Sequence, residues 1–158
     1  MLNTIDFIND LKQYLKTSII TLDSDFSKLD TYTAYTYEHT PTPPEIDVYI
    51  NDDSEDTISN SYDGENISSV SVNIYCYADA MLLNNDSKKT SAVDTTTLLA
   101  QRVKEVLEKN KYAMANENII SCSRTSYTGA MNVRDTKLYV AILRYDFKVR
   151  NNYTKIYN

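Results

Sequence analysis

Glycine is nearly missing from this chain: only Gly64 and Gly129 occur, far apart. A loop that cradles phosphate needs two or three glycines within a few residues, so that the backbone can approach the anion. Walker-type and dinucleotide-binding loops are thereby excluded. Histidine occurs once, at His39, beside a proline-rich stretch. It reads as an exposed loop residue rather than a general base, and no Ser–His–Asp or Cys–His constellation can be assembled without it. Cysteine is limited to Cys76 and Cys122, both inside apolar, strand-like patterns. They read as reduced core residues on neighbouring strands, with no disulfide expected in a reducing compartment. No apolar run is long enough to span a bilayer, so no membrane partner is expected. The first residues lack a basic segment followed by an apolar core, so no signal peptide is expected and synthesis in the cytosol is the default.

Positive charge is also short, with 16 Lys and Arg against 22 Asp and Glu and a formal net charge of −6. A general nucleic-acid binder needs a concentrated basic face to displace counterions, and that class is disfavoured. The balance is compatible with a surface that DNA passes without sticking. Carboxylates abound, yet an acidic loop supplies no dry pocket to move two pKa values apart for acid–base work. Asp52, Ser54, Asp56 and the Asp63–Glu65 run offer hard oxygen ligands. An EF-hand would need glycine sixth, glutamate twelfth and a helix on each side, and neither spacing nor flanks agree. No catalytic, cofactor-binding or metal-ligating residue is expected, and no cofactor.

What the chain does have is tyrosine, 14 of them beside 3 Phe and no Trp. Tyrosine buries a ring while keeping a wet hydroxyl, which suits sheet faces and protein interfaces. A chain of 158 residues most often makes one domain, here taken as residues 1–150 followed by a C-terminal tail, 151–158. Residues 4 to 16 place Ile8, Leu11 and Leu15 at helical spacing behind a cap at Asn3 or Thr4, with the helix ending around Ser18 and residues 18 to 23 forming an apolar link. Residues 32 to 38 and 46 to 50 alternate as strands, separated by a loop or strand edge containing Pro43 and Pro44. Residues 51 to 69 are acidic, polar and without period, and read as a long loop. Residues 70 to 78 form the clearest strand. Asp94 or Ser91 then caps a helix whose buried stripe is Leu99, Val103, Val106 and Leu107, with Arg102, Lys104, Glu105, Glu108 and Lys109 on its solvated face. Residues 118 to 127 and 137 to 150 pair as a hairpin, with a turn region near Gly129.

The stretch KLYVAILRYDFKVR, residues 137 to 150, is apolar on both faces in its first half. In its second half Arg144, Asp146, Lys148 and Arg150 alternate with Tyr145, Phe147 and Val149. The first half is therefore expected to be central in a sheet, with the charged half projecting beyond its cover. The element order predicts an α+β fold: a mostly antiparallel sheet with an N-terminal helix and a central helix packed on one face.

Two segments resemble the tail terminator and tail completion proteins of tailed bacteriophages. One is PPEIDVYI followed, after a loop, by SSVSVNIYCYADAM; the other is TTLLAQRVKEVLEKN followed by SRTSYTGAMNVRDTKLYVAILRYDFKVR. The resemblance covers roughly residues 4 to 150 and lies in the pattern of elements, without a catalytic signature. It implies a non-enzymatic virion protein of the head–tail neck, made in the host cytoplasm. Such a protein forms a ring, usually a hexamer, on the last ring of the tail tube, ends polymerisation of tube and sheath, and meets the head-side connector proteins. DNA passes the lumen without specific binding. Under this reading Arg134, Asp135, Lys137, Arg144 and Lys148 are candidate interface residues. Asp52, Asp53, Glu55 and Asp56 are candidates for lining the lumen or reaching a neighbour. The alternatives are a tail completion or head-closure connector and, from a different class, a stand-alone ligand-binding α+β domain.

Overall fold

The computed structural model describes residues 2–33, 39–56, 67–82, 89–108 and 118–157, the side chains of 52–56, 82 and 89 excepted. Among the described residues the chain forms helices α1 (Thr4–Leu22) and α2 (Ala92–Glu108). Its strands are β1 (Asp30–Thr33), β2 (Glu45–Asp56), β3 (Ile67–Ala78), β4 (Met81–Leu82), β5 (Lys89–Thr90), β6 (Ile119–Asn132) and β7 (Tyr139–Arg150). Five strands make one sheet in the order β1-β2-β3-β7-β6, while β4 and β5 pair on their own. Only the β1–β2 contact is parallel; β2–β3, β3–β7 and β7–β6 are antiparallel. This is the α+β architecture that the element order predicts, with both helices on one face of a mostly antiparallel sheet.

Helix α1 starts where Asn3 accepts the Asp6 amide, 3.2 Å, which satisfies one of the donors a helix leaves free at its N-terminus. It runs a full turn past the expected end at Ser18. The reason is burial: Ile19 continues the stripe of Ile8, Leu11 and Leu15, and all four are essentially inaccessible. Packing outweighs the weak helix propensity of the β-branched Ile19, Ile20 and Thr21. Asp23 ends the helix with an extended backbone, its N–H returning to the Ile19 carbonyl. Helix α2 begins after Ser91, whose hydroxyl accepts the Asp94 amide at 3.1 Å. Its predicted stripe of Leu99, Val103, Val106 and Leu107 is buried; Lys109 to Lys111 lie outside the described residues.

The core fills the space between the helices and one sheet face. That face carries Ile46 and Val48 from β2, Val70, Val72, Ile74 and Cys76 from β3, and Ala141, Leu143, Tyr145, Phe147 and Val149 from β7. Phe7 of α1 meets Phe147 edge to face at 5.3 Å and Tyr153 at 5.8 Å. Truncating such a fully buried ring costs about 3–5 kcal/mol. β7 lies between β3 and β6, so the doubly apolar start of that strand is central, as expected.

Three boundaries differ from expectation. β2 extends to Asp56 and β3 begins at Ile67, laddered from Asp52↔Ser71 to Asp56↔Ile67. Much of the expected acidic loop is therefore strand, because β3 offers a complete row of backbone partners that outweighs the low strand propensity of Asp and Ser. The remainder of that loop, residues 57–66, lies outside the described residues, as do 34–38 of the first expected strand. Gly129 sits within β6 rather than at a turn, and a Cβ there would meet nothing within 4 Å. The turn is Val133–Leu138, closed by Val133 N–H to Leu138 O at 2.9 Å and Thr136 N–H to Val133 O at 3.1 Å. Asp135 takes the positive φ of 60°, a conformation that Asp and Asn tolerate better than most residues.

The segment expected to be a C-terminal tail docks onto α1. Asp10 is completely buried. It accepts hydrogen bonds from the Tyr153 hydroxyl at 2.5 Å, the Ile156 amide at 2.7 Å and the Tyr157 amide at 3.2 Å. Tyr153 itself is only 6% exposed.

Candidate functional site

The second sheet face faces away from both helices. Reading across the ladder, one row is Glu45, Tyr77, Val140 and Met131, the next is Asp47, Tyr75, Ile142 and Thr128, and a third is Tyr49, Asn73, Arg144 and Ser126. Tyr75 and Tyr77 stack at 6.4 Å. Tyr49 is 41% exposed and Met131 44%. A stripe of tyrosine, valine, isoleucine and methionine thus lies on this second face, exposed at Tyr49 and Met131, half-buried at Tyr75, Tyr77 and Ile142, and buried at Val140. Apolar surface gathered in one patch, rather than scattered singly, is characteristic of interaction sites.

β6 is one edge of this sheet and is exposed along most of its length. Its pairing with β7 is interrupted three times, between Ile119 and Ser121, Arg124 and Ser126, and Thr128 and Met131. Interruptions of this kind twist an edge and blunt uncontrolled strand addition. On the helix side β6 is tied down by two contacts that the sequence reading assigned to solvent. Glu108 pairs with Arg124 at 3.0 Å, and the Lys104 ammonium lies 3.6 Å over the Tyr127 ring. Arg102 likewise bonds Asp23 at 2.8 Å and Glu105 at 3.0 Å, joining α2 to the end of α1.

The candidate interface residues do not form one cluster. Arg134, Asp135 and Lys137 occupy the β6–β7 turn, where the side chains of Arg134 and Asp135 are more than nine-tenths exposed and 3.9 Å apart. A pair so fully solvated contributes almost nothing to stability. Arg144 and Lys148 project from the second face of β7. Arg144 is half-buried, and its Nε has no hydrogen-bond partner among the described residues. Asp146, between them, accepts the Ser71 hydroxyl at 2.6 Å. Asp52, Asp53, Glu55 and Asp56 lie at the far end of β2; their side chains fall outside the described residues. Because β7 pairs from Tyr139↔Ala78 to Arg150↔Ile67, the turn with Arg134 and the acidic end of β2 are at opposite ends of the sheet, about 36 Å apart by strand rise.

A group that sequence reasoning missed sits at the β1 edge. His39 is not a free loop residue: its ring stacks on Tyr32 at 3.6 Å, and its Nε2 shares a hydrogen bond of 2.8 Å with Glu45. The Thr42 amide donates to the other Glu45 oxygen at 3.3 Å. Glu45 and Asp47 are 3% and 5% exposed. Burial, together with a hydrogen bond that protonated Asp47 donates to Glu45 and the like charge of Glu45, pushes the Asp47 carboxyl up to about 9. Strand alternation puts Asp47 opposite the core, where a carboxylate is ordinarily wet, and so hid it. The available signal was the spacing: two acids at i and i+2 on a strand, six residues after the chain's one histidine.

A groove of about 490 Å³ between the helices is lined by Tyr14, Thr17, Ser18, Thr21, Leu22, Glu105 and Val106. It brings together no constellation of nucleophile, base and oxyanion donors. No family model matches the chain, and no curated protein matches it.

Proposed function

We propose that this protein is a structural subunit of the tailed-phage neck: a ring-forming protein that caps the tail tube, ends its polymerisation and joins it to the head connector. The single observation that carries the reading is the second sheet face, the one turned away from both helices. Its tyrosine, valine, isoleucine and methionine stripe is backed by a rigid core, and it is flanked by a long bulged edge strand. Such a surface suits packing against copies of the same chain and adjoining virion parts. In a ring each subunit offers two different patches, and the assembly closes by rotation. That face and the β6 edge supply two such patches. The charge at the end of β2 suits a lumen wall, since negative groups repel DNA phosphate and keep passage free of sticking.

The test is electron microscopy of particles made without this protein. Overlong or headless tails are expected. Normal-length tails attached to full heads would end the proposal. A finer test places a charge in the stripe through Tyr75→Asp or Met131→Asp, with folding checked by circular dichroism. Folded variants are expected to fail in tail capping. Since Asp52, Asp53 and Asp56 are paired in the β2–β3 ladder, their charge is best removed by Asp→Asn substitution rather than by deletion. Unchanged particle yield would remove the lumen role alone.

A further inference from the structure

We infer that His39, Glu45 and Asp47 form a binding site for one divalent transition-metal ion of the zinc class. The ligand atoms of these three residues all lie within 4.8 Å of one another. The grouping contains an imidazole as well as carboxylates. One nitrogen and two oxygens suit zinc, cobalt or nickel rather than calcium or magnesium, which favour all-oxygen shells.

Three features build the site beyond mere proximity. Asp47 is 95% buried by its 5% exposure, and its Oδ1 has no hydrogen-bond partner among the described residues. A buried carboxyl oxygen without a partner is costly, and a cation that displaces the Asp47 proton would satisfy it. The His39 ring is held flat against Tyr32, the two planes 11° apart, which orients Nε2 toward the carboxylates. Glu45 is fixed in turn by the Thr42 amide. Support of this kind, outside the ligands themselves, governs metal affinity.

A tetrahedral ion about 2.0–2.1 Å from each ligand holds those atoms roughly 3.3 Å apart. To reach that spacing the three side chains draw together from within 4.8 Å; the Asp47 carboxyl releases its proton to solvent, and His39 binds through Nε2 with its remaining proton on Nδ1. Water completes the shell on the His39 side, which is 25% exposed. The ion would fasten the start of β2 to the segment carrying His39 at the sheet edge, where the parallel β1–β2 ladder spans four residue pairs among the described residues.

Equilibrium dialysis of the full-length, metal-stripped protein against Zn²⁺ tests this, with Co²⁺ as a spectroscopic probe. One Zn²⁺ per chain is expected, and Co²⁺ should give visible bands of a four-coordinate centre without a thiolate charge-transfer band. His39→Gln and Asp47→Asn should each weaken binding by about 100-fold or more, while Cys122→Ser leaves it unchanged. Binding that survives both ligand substitutions, a thiolate band, or no bound zinc at equimolar concentration overturns the assignment. If a variant fails to fold, the stoichiometry and Co²⁺ spectrum of the parent chain decide alone.

Discussion

Removing the Asp10 carboxylate should release the C-terminal segment and cost a large part of the protein's stability. In Asp10→Ala the Tyr153 hydroxyl, now enclosed, loses its acceptor, a loss of about 1–3 kcal/mol. The Ile156 and Tyr157 amides are only partly buried, so water replaces much of what they lose, and they add roughly 0.5 kcal/mol each. The total is about 2–4 kcal/mol against the 5–15 kcal/mol typical of a domain, or a drop in Tm of roughly 5–15 °C. Tyr153→Phe keeps the ring against Phe7 and removes only the hydroxyl, so about 1.5–2 kcal/mol is expected. The two substitutions share one contact, and the double variant should fall short of additivity by about 1–2 kcal/mol. Urea unfolding followed by circular dichroism measures this, with a lowered midpoint and an unchanged slope. If Tyr153→Phe stays within about 0.5 kcal/mol of the parent, or the pair is additive, the segment is not held as described.

Burial, with Glu108 nearby, pushes the Cys122 thiol up from 9.0 to about 12. Its thiolate fraction at pH 8 is then roughly a thousandfold below that of an exposed cysteine, so alkylation in the folded state should be slower by at least that factor. The folded chain holds this proton longer than the unfolded one, so the group's contribution to stability is intact below pH 9 and lost on the way to about pH 12. Tyr145→Phe should be neutral or raise stability by about 0.5–1.5 kcal/mol, since the hydroxyl is buried with no partner among the described residues; a loss above about 1 kcal/mol in urea titration would mean that it is bonded. Arg102→Ala should cost about 1–2 kcal/mol through its pair with Asp23, with a deficit that shrinks as NaCl is raised. Arg134→Glu with Lys137→Glu should leave the unfolding midpoint unchanged, the turn being solvated, while lowering head joining if that turn meets a neighbour; normal joining would remove these residues from the interface.

The fold was largely legible because its helices and central strands carry clean periods. Ile8, Leu11 and Leu15 announce α1, and Val70 through Ala78 announce β3. The failures lie where local signals and tertiary partners disagree. Ile19 to Leu22 read as a link because they are β-branched and apolar, yet the core needed one more turn. Asp52 to Asp56 read as loop, but a facing strand supplied their backbone partners. Gly129 drew the turn toward itself, whereas Asp135 takes the turn's positive φ and Asn132 and Thr136 supply its side-chain hydrogen bonds. The candidate site was less legible still. Alternation puts Tyr75, Tyr77 and Ile142 off the core, but nothing local says that both described helices pack on the other side. The meeting of His39 with Glu45 and Asp47 depends on how the Pro43–Pro44 segment folds back, which no periodicity encodes.

The three offsets along β6 have a geometric outcome for whatever lies beside it. A straight, regular border would accept any extended chain in any frame and could recruit copies without end. A border that is offset at Ser121, Ser126 and Met131 bends and coils instead, so a neighbour must share its curvature to lie against it. In the ring proposed above, shape, more than backbone pairing, would then decide who is admitted and how many copies fit before the circuit is complete.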